Sequence, residues 1–234
     1  MRIGEITRTG PQIVKGFQKL LDNHDSVTCA VSDCMGRYNA MTSDMKPLFD
    51  GIRLVGTAVT VKTLASDLGA VFKAIDLCQS GDIVVVDAHG SVNTAFWGEN
   101  MTRSAVNKGV IAAVIDGAIR DVEEIRKLKF PIISKGIVPN AASVNAYGHI
   151  NVPAQCGGVQ VNPGDVVIID GNGVVVVPRQ EAEGILTQAT ALMEKEHIVT
   201  EKIKAGATIG ELVNIDRIAS SVFDYQSVAA DNKK

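Results

Sequence analysis

A mixed α/β fold with a parallel core is expected from three features of the chain. Val- and Ile-rich runs at 83–86 and 110–115 alternate with stretches whose apolar residues recur at helical spacing, the mark of βαβ units. Later β-rich runs are short and separated by Gly-containing turns, Pro163-Gly164-Asp165 and Asp170-Gly171-Asn172-Gly173, which read as hairpins. No repeat, linker or compositional break divides the chain, so a single domain is expected.

Each element has its own signal. Ile13, Val14, Phe17, Leu20 and Leu21 make a helical stripe from about Pro11 to Asp22, with Pro11 suited to the first turn. Val27 to Val31 reads as a strand, and Leu54 to Thr63, rich in Val and Thr, as another. Leu68, Val71, Phe72, Ile75 and Cys78 form a second stripe, ended by Ser80-Gly81-Asp82 before the strand Ile83 to Val86. Gly98 to Asn107 is a short helix, Val110 to Ile115 a buried strand and Asp116-Gly117 a turn. A helix over Asp121 to Leu128, a strand at Ile132-Ile133, and runs at Val159 to Val161, Val166 to Ile169 and Val174 to Val177 follow. A long helix from about Glu181 to Lys204 closes the ordered chain, and Ala229 to Lys234 reads as a loose tail.

Composition narrows the classes of function. With 234 residues, 46% hydrophobic and 21% charged, the chain can hide about 70% of its unfolded surface without staples. The net charge of −3 offers no general field for nucleic acid or an anionic membrane, and neither is expected as a partner. No apolar run approaches the ~20 residues of a membrane span. The acid in Met1-Arg2-Ile3-Gly4-Glu5 stands where a secretory signal needs apolar residues, so a cytoplasmic protein is expected. Cys29, Cys34, Cys78 and Cys156 form no Cys-x-x-Cys pair, and most sit in apolar segments as reduced, buried thiols.

The chemistry concentrates in two segments. Gly98-Glu99-Asn100-Met101 and Arg120-Asp121 both fall where a helix begins on the same side of a βαβ unit. A helix N-terminus presents unpaired N–H groups and partial positive charge to a carboxylate, and Gly98 lets a ligand approach the backbone. Arg120 adds a fork for a carboxylate or enolate oxygen, while Asp121 and Glu99 offer hard oxygens for Mg²⁺ or Mn²⁺. The same residues also admit structural roles: Asp121 capping its own helix, Glu99 as a first-turn acid, Arg120 paired with Glu99. His89 at a strand end reads as structural rather than catalytic, and Lys62 and Lys135 as weak Schiff-base candidates. Gly171-Asn172-Gly173 is a hairpin turn and not a dinucleotide loop, because no helix follows it.

Glu99, then twenty residues, then Arg120-Asp121 resembles the acid-x20-Arg-Asp signature of the RraA-like proteins. Further blocks are similar in the same order: Ser32-Asp33, Gly56-Thr57-Ala58-Val59-Thr60, Gly81 to Asp87, Gly157-Gly158 through Asp165, and Asp170 to Pro178. That family includes class II aldolases acting on 4-hydroxy-4-methyl-2-oxoglutarate and 4-carboxy-4-hydroxy-2-oxoadipate, and also regulators of ribonuclease activity. The resemblance implies a single-domain αββα sandwich of the swivelling β/β/α type, with an N-terminal helix at 1–24, a catalytic domain at 25–205 and an extension at 206–234. It implies homotrimers or hexamers with inter-subunit active sites. It implies a metal-dependent lyase that releases pyruvate from a 4-hydroxy-2-oxo acid and decarboxylates oxaloacetate, with a non-catalytic regulator of a ribonuclease or other enzyme as the alternative. Residue by residue, Asp121 would bind Mg²⁺ or Mn²⁺, and Glu99, where many relatives have Asp, would hold metal-bound waters. Arg120 would contact the substrate, and the N–H groups of Asn100 and Met101 would bind the pyruvyl carboxylate beside Gly98. Glu196, on the apolar stripe Ile185, Ala189, Leu192, Met193, Val199 and Ile203, would relay protons to a neighbouring subunit's site.

Overall fold

The β-branched runs assemble into one large sheet with a parallel centre. A computed structural model describes residues 1–64 and 66–222; the tail expected at Ala229 to Lys234 lies outside the described residues. The chain runs β1 (Arg2–Ile3), α1 (Pro11–Asn23), α2 (Val27–Cys34), β2 (Lys46–Pro47), β3 (Leu54–Lys62), α3 (Gly69–Leu77), β4 (Asp82–Ala95) and α4 (Glu99–Asn107). It continues with β5 (Ala112–Ile119), α5 (Val122–Leu128), β6 (Ile132–Ile137), β7 (His149–Ile150), β8 (Ala154–Cys156) and β9 (Val159–Val161). Then come β10 (Val166–Asp170), β11 (Gly173–Val177), α6 (Ala182–Lys204), α7 (Ile209–Val213) and α8 (Ile215–Val222). The chain divides into two compact units, Met1–Ala189 and Thr190–Lys234.

In the first unit β3, β4, β5 and β6 are parallel neighbours, while β7 and β10 meet opposite ends of one edge of β3 in antiparallel pairs. Period-2 alternation sends Val84, Val86, Ala113 and Ile115 into one core with Val71, Ile75 and Ala105 of the helices. Ile83, Val85, Ala112 and Val114 face a second core with Cys156, Val161, Val167 and Val176 of the later strands. α1 and α2 pack beyond those strands, on β3, β10 and β11, giving the expected helix, sheet, sheet, helix layering. α1 buries Phe17, Leu20 and Leu21 from its predicted stripe, each contributing about 1.5–3 kcal/mol. Burial pushes the Cys78 thiol up to about 12 and holds that of Cys156 well above its ordinary value, so both are inert. Cys29 is exposed and Cys34 half-buried, against the expectation that most of the four are hidden.

Three local expectations are overturned. Val27 to Val31 is helical: the Asp170 carboxylate accepts the Thr28 N–H at 2.8 Å and the Thr28 hydroxyl at 2.7 Å, and this long-range cap outweighs β-branched propensity. Asp116-Gly117 is not a turn but the middle of β5; Gly117 is there because a Cβ would stand 2.9 Å from the Ser91 carbonyl of the bulged β4. Pro163-Gly164-Asp165 does not close a hairpin, since β9 pairs with β8 and β10 with β11 and β3. Asp165 instead turns the corner, accepting the N–H groups of Asn162 at 2.8 Å and Arg179 at 2.9 Å. The hairpin expected at 170–173 does form.

In the second unit, Thr208 and Glu211 make a reciprocal capping box at the start of α7. Among the described residues, no helix is long and apolar enough to cross a membrane.

Candidate active site

After two register shifts β4 and β5 pair again at Ala95 and Ala118, and this pairing continues to the starts of α4 and α5. The Phe96 N–H donates to Ala118 O at 2.8 Å, and the Arg120 N–H to Trp97 O at 2.9 Å. The first turn of α4 is then locked from beneath. Buried Trp97 donates from Nε1 to Thr102 Oγ1 at 2.8 Å, and Thr102 Oγ1 donates to Gly98 O at 3.0 Å. Trp97 in turn stacks on Phe130, with ring centroids 6.1 Å apart.

The two predicted segments come together on this support. Asp121 sits in the left-handed region at φ 56°, a conformation Asp tolerates better than most residues, and makes no side-chain cap to its own helix. Its Oδ2 accepts the N–H of Glu99, the first residue of α4, at 3.1 Å. Arg120 Nε lies 3.7 Å from the same oxygen, with Arg120 44% and Asp121 38% exposed. A Cβ on Gly98 would lie 2.5 Å from Asp121 Oδ2, so only glycine permits this approach. Beside these groups is a cavity of about 120 Å³, lined by Gly98, Asn100, Met101, Arg120 and Asp121, with Leu68, Phe72, Ala95 and Trp97 as its apolar wall. The N–H groups of Asn100 and Met101, in the first helical turn, have no acceptor within the helix.

The geometry bears on the roles open to these residues. Asp121 turns away from capping α5, which is what a structural Asp there would do. Glu99 is held by Arg103 of its own helix, at 2.9 Å to Nε and 2.8 Å to the terminal nitrogen, so Arg120 is not Glu99's ion-pair partner. Among the described residues, no three His, Cys, Asp or Glu side chains gather as a closed metal cage. A half-exposed Asp121 carboxylate with room for solvent fits Mg²⁺ or Mn²⁺, which take one or two carboxylates and keep their waters. Glu99, tethered to Arg103, fits a water-holding role better than direct ligation.

The other candidates separate. Glu196 is exposed on α6, in the second unit. Lys135 is no Schiff-base nucleophile: Asp116 at 2.7 Å and Asp44 at 3.5 Å hold its ammonium and raise its pKa. His89 lies inside β4 and not at a strand end, in the left-handed region at the register shift after Asp87, with Nδ1 3.5 Å from Asp87 Oδ1. Lys62, half-buried, closes β3. The sequence reading missed Trp97 and Thr102 as supports of the first turn. Phe72, expected only as part of a helical stripe, is 40% exposed and lines the cavity. The lone Trp next to Gly98, with Thr four residues further on, was the available signal.

A family model described as Aldolase/RraA matches residues 28–176, more than half of the chain. The chain belongs to the RraA-like family. Among its RraA-like relatives, a Halalkalibacterium halodurans protein provisionally named 4-hydroxy-4-methyl-2-oxoglutarate aldolase is 38% identical over 162 residues, 69% of this chain and 77% of that one. A Thermus thermophilus protein named 4-hydroxy-4-methyl-2-oxoglutarate aldolase is 29% identical over 151 residues, 64% of this chain and 92% of that one. The solved structure of RraAS2 from Streptomyces coelicolor, described as an unusual member of the RNase ES inhibitor RraA family, matches with a TM-score of 0.73 and 29% identity. It covers 83% of this chain and 100% of that one.

Proposed function

We propose that the protein is a divalent-metal-dependent lyase that cleaves a 4-hydroxy-2-oxo acid of the 4-hydroxy-4-methyl-2-oxoglutarate type to pyruvate, with oxaloacetate decarboxylation as a side activity. The observation that carries this reading is the Asp121 carboxylate, which forgoes its own helix to sit against the first N–H of α4 with Arg120 beside it. Anion-binding N–H groups, a guanidinium and a hard carboxylate converge there on one small cavity. The provisional and plain aldolase names of the Halalkalibacterium and Thermus relatives support the same chemistry.

The substrate's C1 carboxylate docks on the N–H groups of Asn100 and Met101, where the helix dipole favours negative charge. Arg120 faces the C2 oxo oxygen. Asp121 would hold Mg²⁺ or Mn²⁺, with Glu99 ordering its waters, and the bound ion would supply Lewis-acid polarisation of the substrate. The C4 hydroxyl gives its proton to water, the C3–C4 electron pair moves into the pyruvate enolate, and C4 leaves as a carbonyl. Arg120 stabilises the enolate oxygen, the kind of oxyanion contact that contributes about 10²–10³ in rate. Protonation at C3 completes pyruvate. Glu196 of a neighbouring subunit, in a homotrimer or hexamer, is the acid proposed to relay that proton. Oxaloacetate gives the same enolate by losing CO₂.

The test is pyruvate release from 4-hydroxy-4-methyl-2-oxoglutarate and from oxaloacetate, each with Mg²⁺ and with EDTA. Metal-dependent turnover is the expected result, and equal rates with and without EDTA overturn the mechanism. Absence of turnover on either compound, together with capture of a ribonuclease, gives the regulatory reading suggested by the Streptomyces neighbour.

A further inference from the structure

One peptide unit of the proposed site is held at both ends. The Gly98 carbonyl accepts two bonds from Thr102, from its N–H at 3.0 Å and from its hydroxyl at 3.0 Å. The other end of the same peptide is the Glu99 N–H, which has no acceptor within its helix and donates to Asp121 Oδ2 at 3.1 Å. Behind Thr102, the Trp97 indole donates from Nε1 to that hydroxyl at 2.8 Å. Indole, hydroxyl, peptide and carboxylate therefore stand in line, each donating to the next. Bonds aligned in this way polarise and strengthen one another.

The line is buried at one end and open at the other. Trp97 and Thr102 are fully enclosed, so neither can exchange its partner for water. The Trp97 ring is fixed by its stack on Phe130, and its backbone carbonyl accepts the Arg120 N–H at 2.9 Å. Trp97 thus holds both segments of the site, α4 through its side chain and the end of β5 through its backbone. The Asp121 carboxylate is 38% exposed, and Arg120 Nε at 3.7 Å is too far to fix its orientation by a hydrogen bond. A threonine hydroxyl that bonds back four residues is ordinary inside a helix. Here, however, the carbonyl it reaches belongs to the one peptide whose N–H leaves the helix for Asp121.

We infer that Thr102 and Trp97 are positioning residues for the Asp121 carboxylate: by pinning the Gly98–Glu99 peptide, they hold Oδ2 in one place for a divalent cation. This rests on the proposed metal-binding role of Asp121. Without the hydroxyl the peptide can tilt, and the carboxylate follows its N–H. Groups that orient a metal ligand from behind typically contribute about 10–100-fold in metal affinity.

The test is calorimetric Mg²⁺ binding and melting temperature, read on the same full-length variants. Thr102→Val keeps the shape and removes the hydroxyl, so the Mg²⁺ Kd is expected to rise at least about tenfold. Its melting temperature should also fall, because Trp97 Nε1 is left buried without an acceptor. Thr102→Ser keeps the hydroxyl and should return Kd to within about twofold of the parent. In a Trp97→Phe background the indole donor is gone, so adding Thr102→Val should leave the melting temperature unchanged. It should still weaken Mg²⁺ binding about tenfold, since the Gly98 carbonyl loses the hydroxyl in either background. Stability and metal affinity then come apart. Three results overturn the inference and leave the lyase reading standing: Thr102→Val melts early with Mg²⁺ affinity intact, Thr102→Ser binds as weakly as Thr102→Val, or the affinity loss vanishes in the Trp97→Phe background. If the parent binds no Mg²⁺ and turns over neither 4-hydroxy-4-methyl-2-oxoglutarate nor oxaloacetate, the metal role of Asp121 fails and the positioning role with it.

Discussion

Two charged clusters lie along β4 to β6, one within the strands and one where β5 gives way to α5, and they differ in one respect that matters. Asp87 of β4 pairs in register with Asp116 of β5, and Lys135 of β6 closes on Asp116 at 2.7 Å. Asp87 is itself saturated, accepting the His89 N–H at 3.1 Å and the Gln155 N–H at 3.0 Å. Both carboxylates are buried, and among the described residues Asp116 is held by the Lys135 ion pair alone. A few residues further along the same strands, Arg120 and Asp121 stand 3.7 Å apart and remain over a third exposed, beside N–H groups that their helix cannot satisfy. Charge alone does not mark a site. What separates the two clusters is exposure: the charges of the proposed site stay open to solvent, while the carboxylates of the first cluster are buried.

The sharpest way to break this contrast is to neutralise each cluster and ask what is lost. Asp121→Asn keeps the left-handed conformation and the acceptor for the Glu99 N–H but removes the negative charge. Pyruvate release is expected to fall by about 10³-fold and calorimetric Mg²⁺ binding to disappear. The melting temperature should hardly move, because partly exposed substitutions usually change stability by about 0.5 kcal/mol or less. Early melting with specific activity intact would place Asp121 with the structural cluster.

Arg120→Lys separates charge from shape. Lysine keeps the cation but loses the planar fork, so Mg²⁺ should still bind while turnover falls by about 10²-fold, the scale of one lost oxyanion donor. Unchanged turnover removes Arg120 from the chemistry. Gly98→Ala tests the approach itself: the new Cβ would stand 2.5 Å from Asp121 Oδ2 and must push the carboxylate aside. A displacement near 1 Å costs about 10²-fold in rate, again with folding preserved. Full activity in this variant would show that the carboxylate has no fixed position to defend.

How much of this was legible before the fold was known follows from where each signal is stored. Gly98-Glu99 and Arg120-Asp121 could be found because each lies at a strand-to-helix transition, and local periodicity marks those. The layered architecture came from similarity of whole blocks, not from periodicity. Long-range effects were hidden. The Asp170 carboxylate that turns Val27 to Val31 into a helix is 142 residues from Thr28 in sequence. Gly117 looked like a turn because nothing local announces the Ser91 carbonyl that requires it. Phe72 fell on a helical stripe, and only the assembled fold leaves one side of that ring open. That Asp121 would decline its own cap was equally invisible, since a capping Asp and a site Asp share one sequence pattern.

The smallest expected effect on catalysis lies in the buried cluster, and it supplies the control. Lys135 is mostly buried, and the carboxylates of Asp116 and Asp44 raise its pKa above the ordinary 10.5. A cation whose pKa is higher folded than unfolded stabilises the fold in full below the unfolded value. That contribution drains away as pH rises through the folded value. The melting temperature should therefore decline above about pH 10.5 as Lys135 loses its proton. Lys135→Met removes the cation and leaves Asp116 buried without its partner, which is expected to cost about 3 kcal/mol at neutral pH. Above the folded pKa the parent has lost the same charge, so the gap between the two melting curves should close. Turnover per folded molecule should stay within about twofold of the parent throughout, because nothing in this cluster reaches Arg120 or Asp121. If Lys135→Met instead melts normally but loses activity, the division between a closed structural cluster and an open reactive one is wrong.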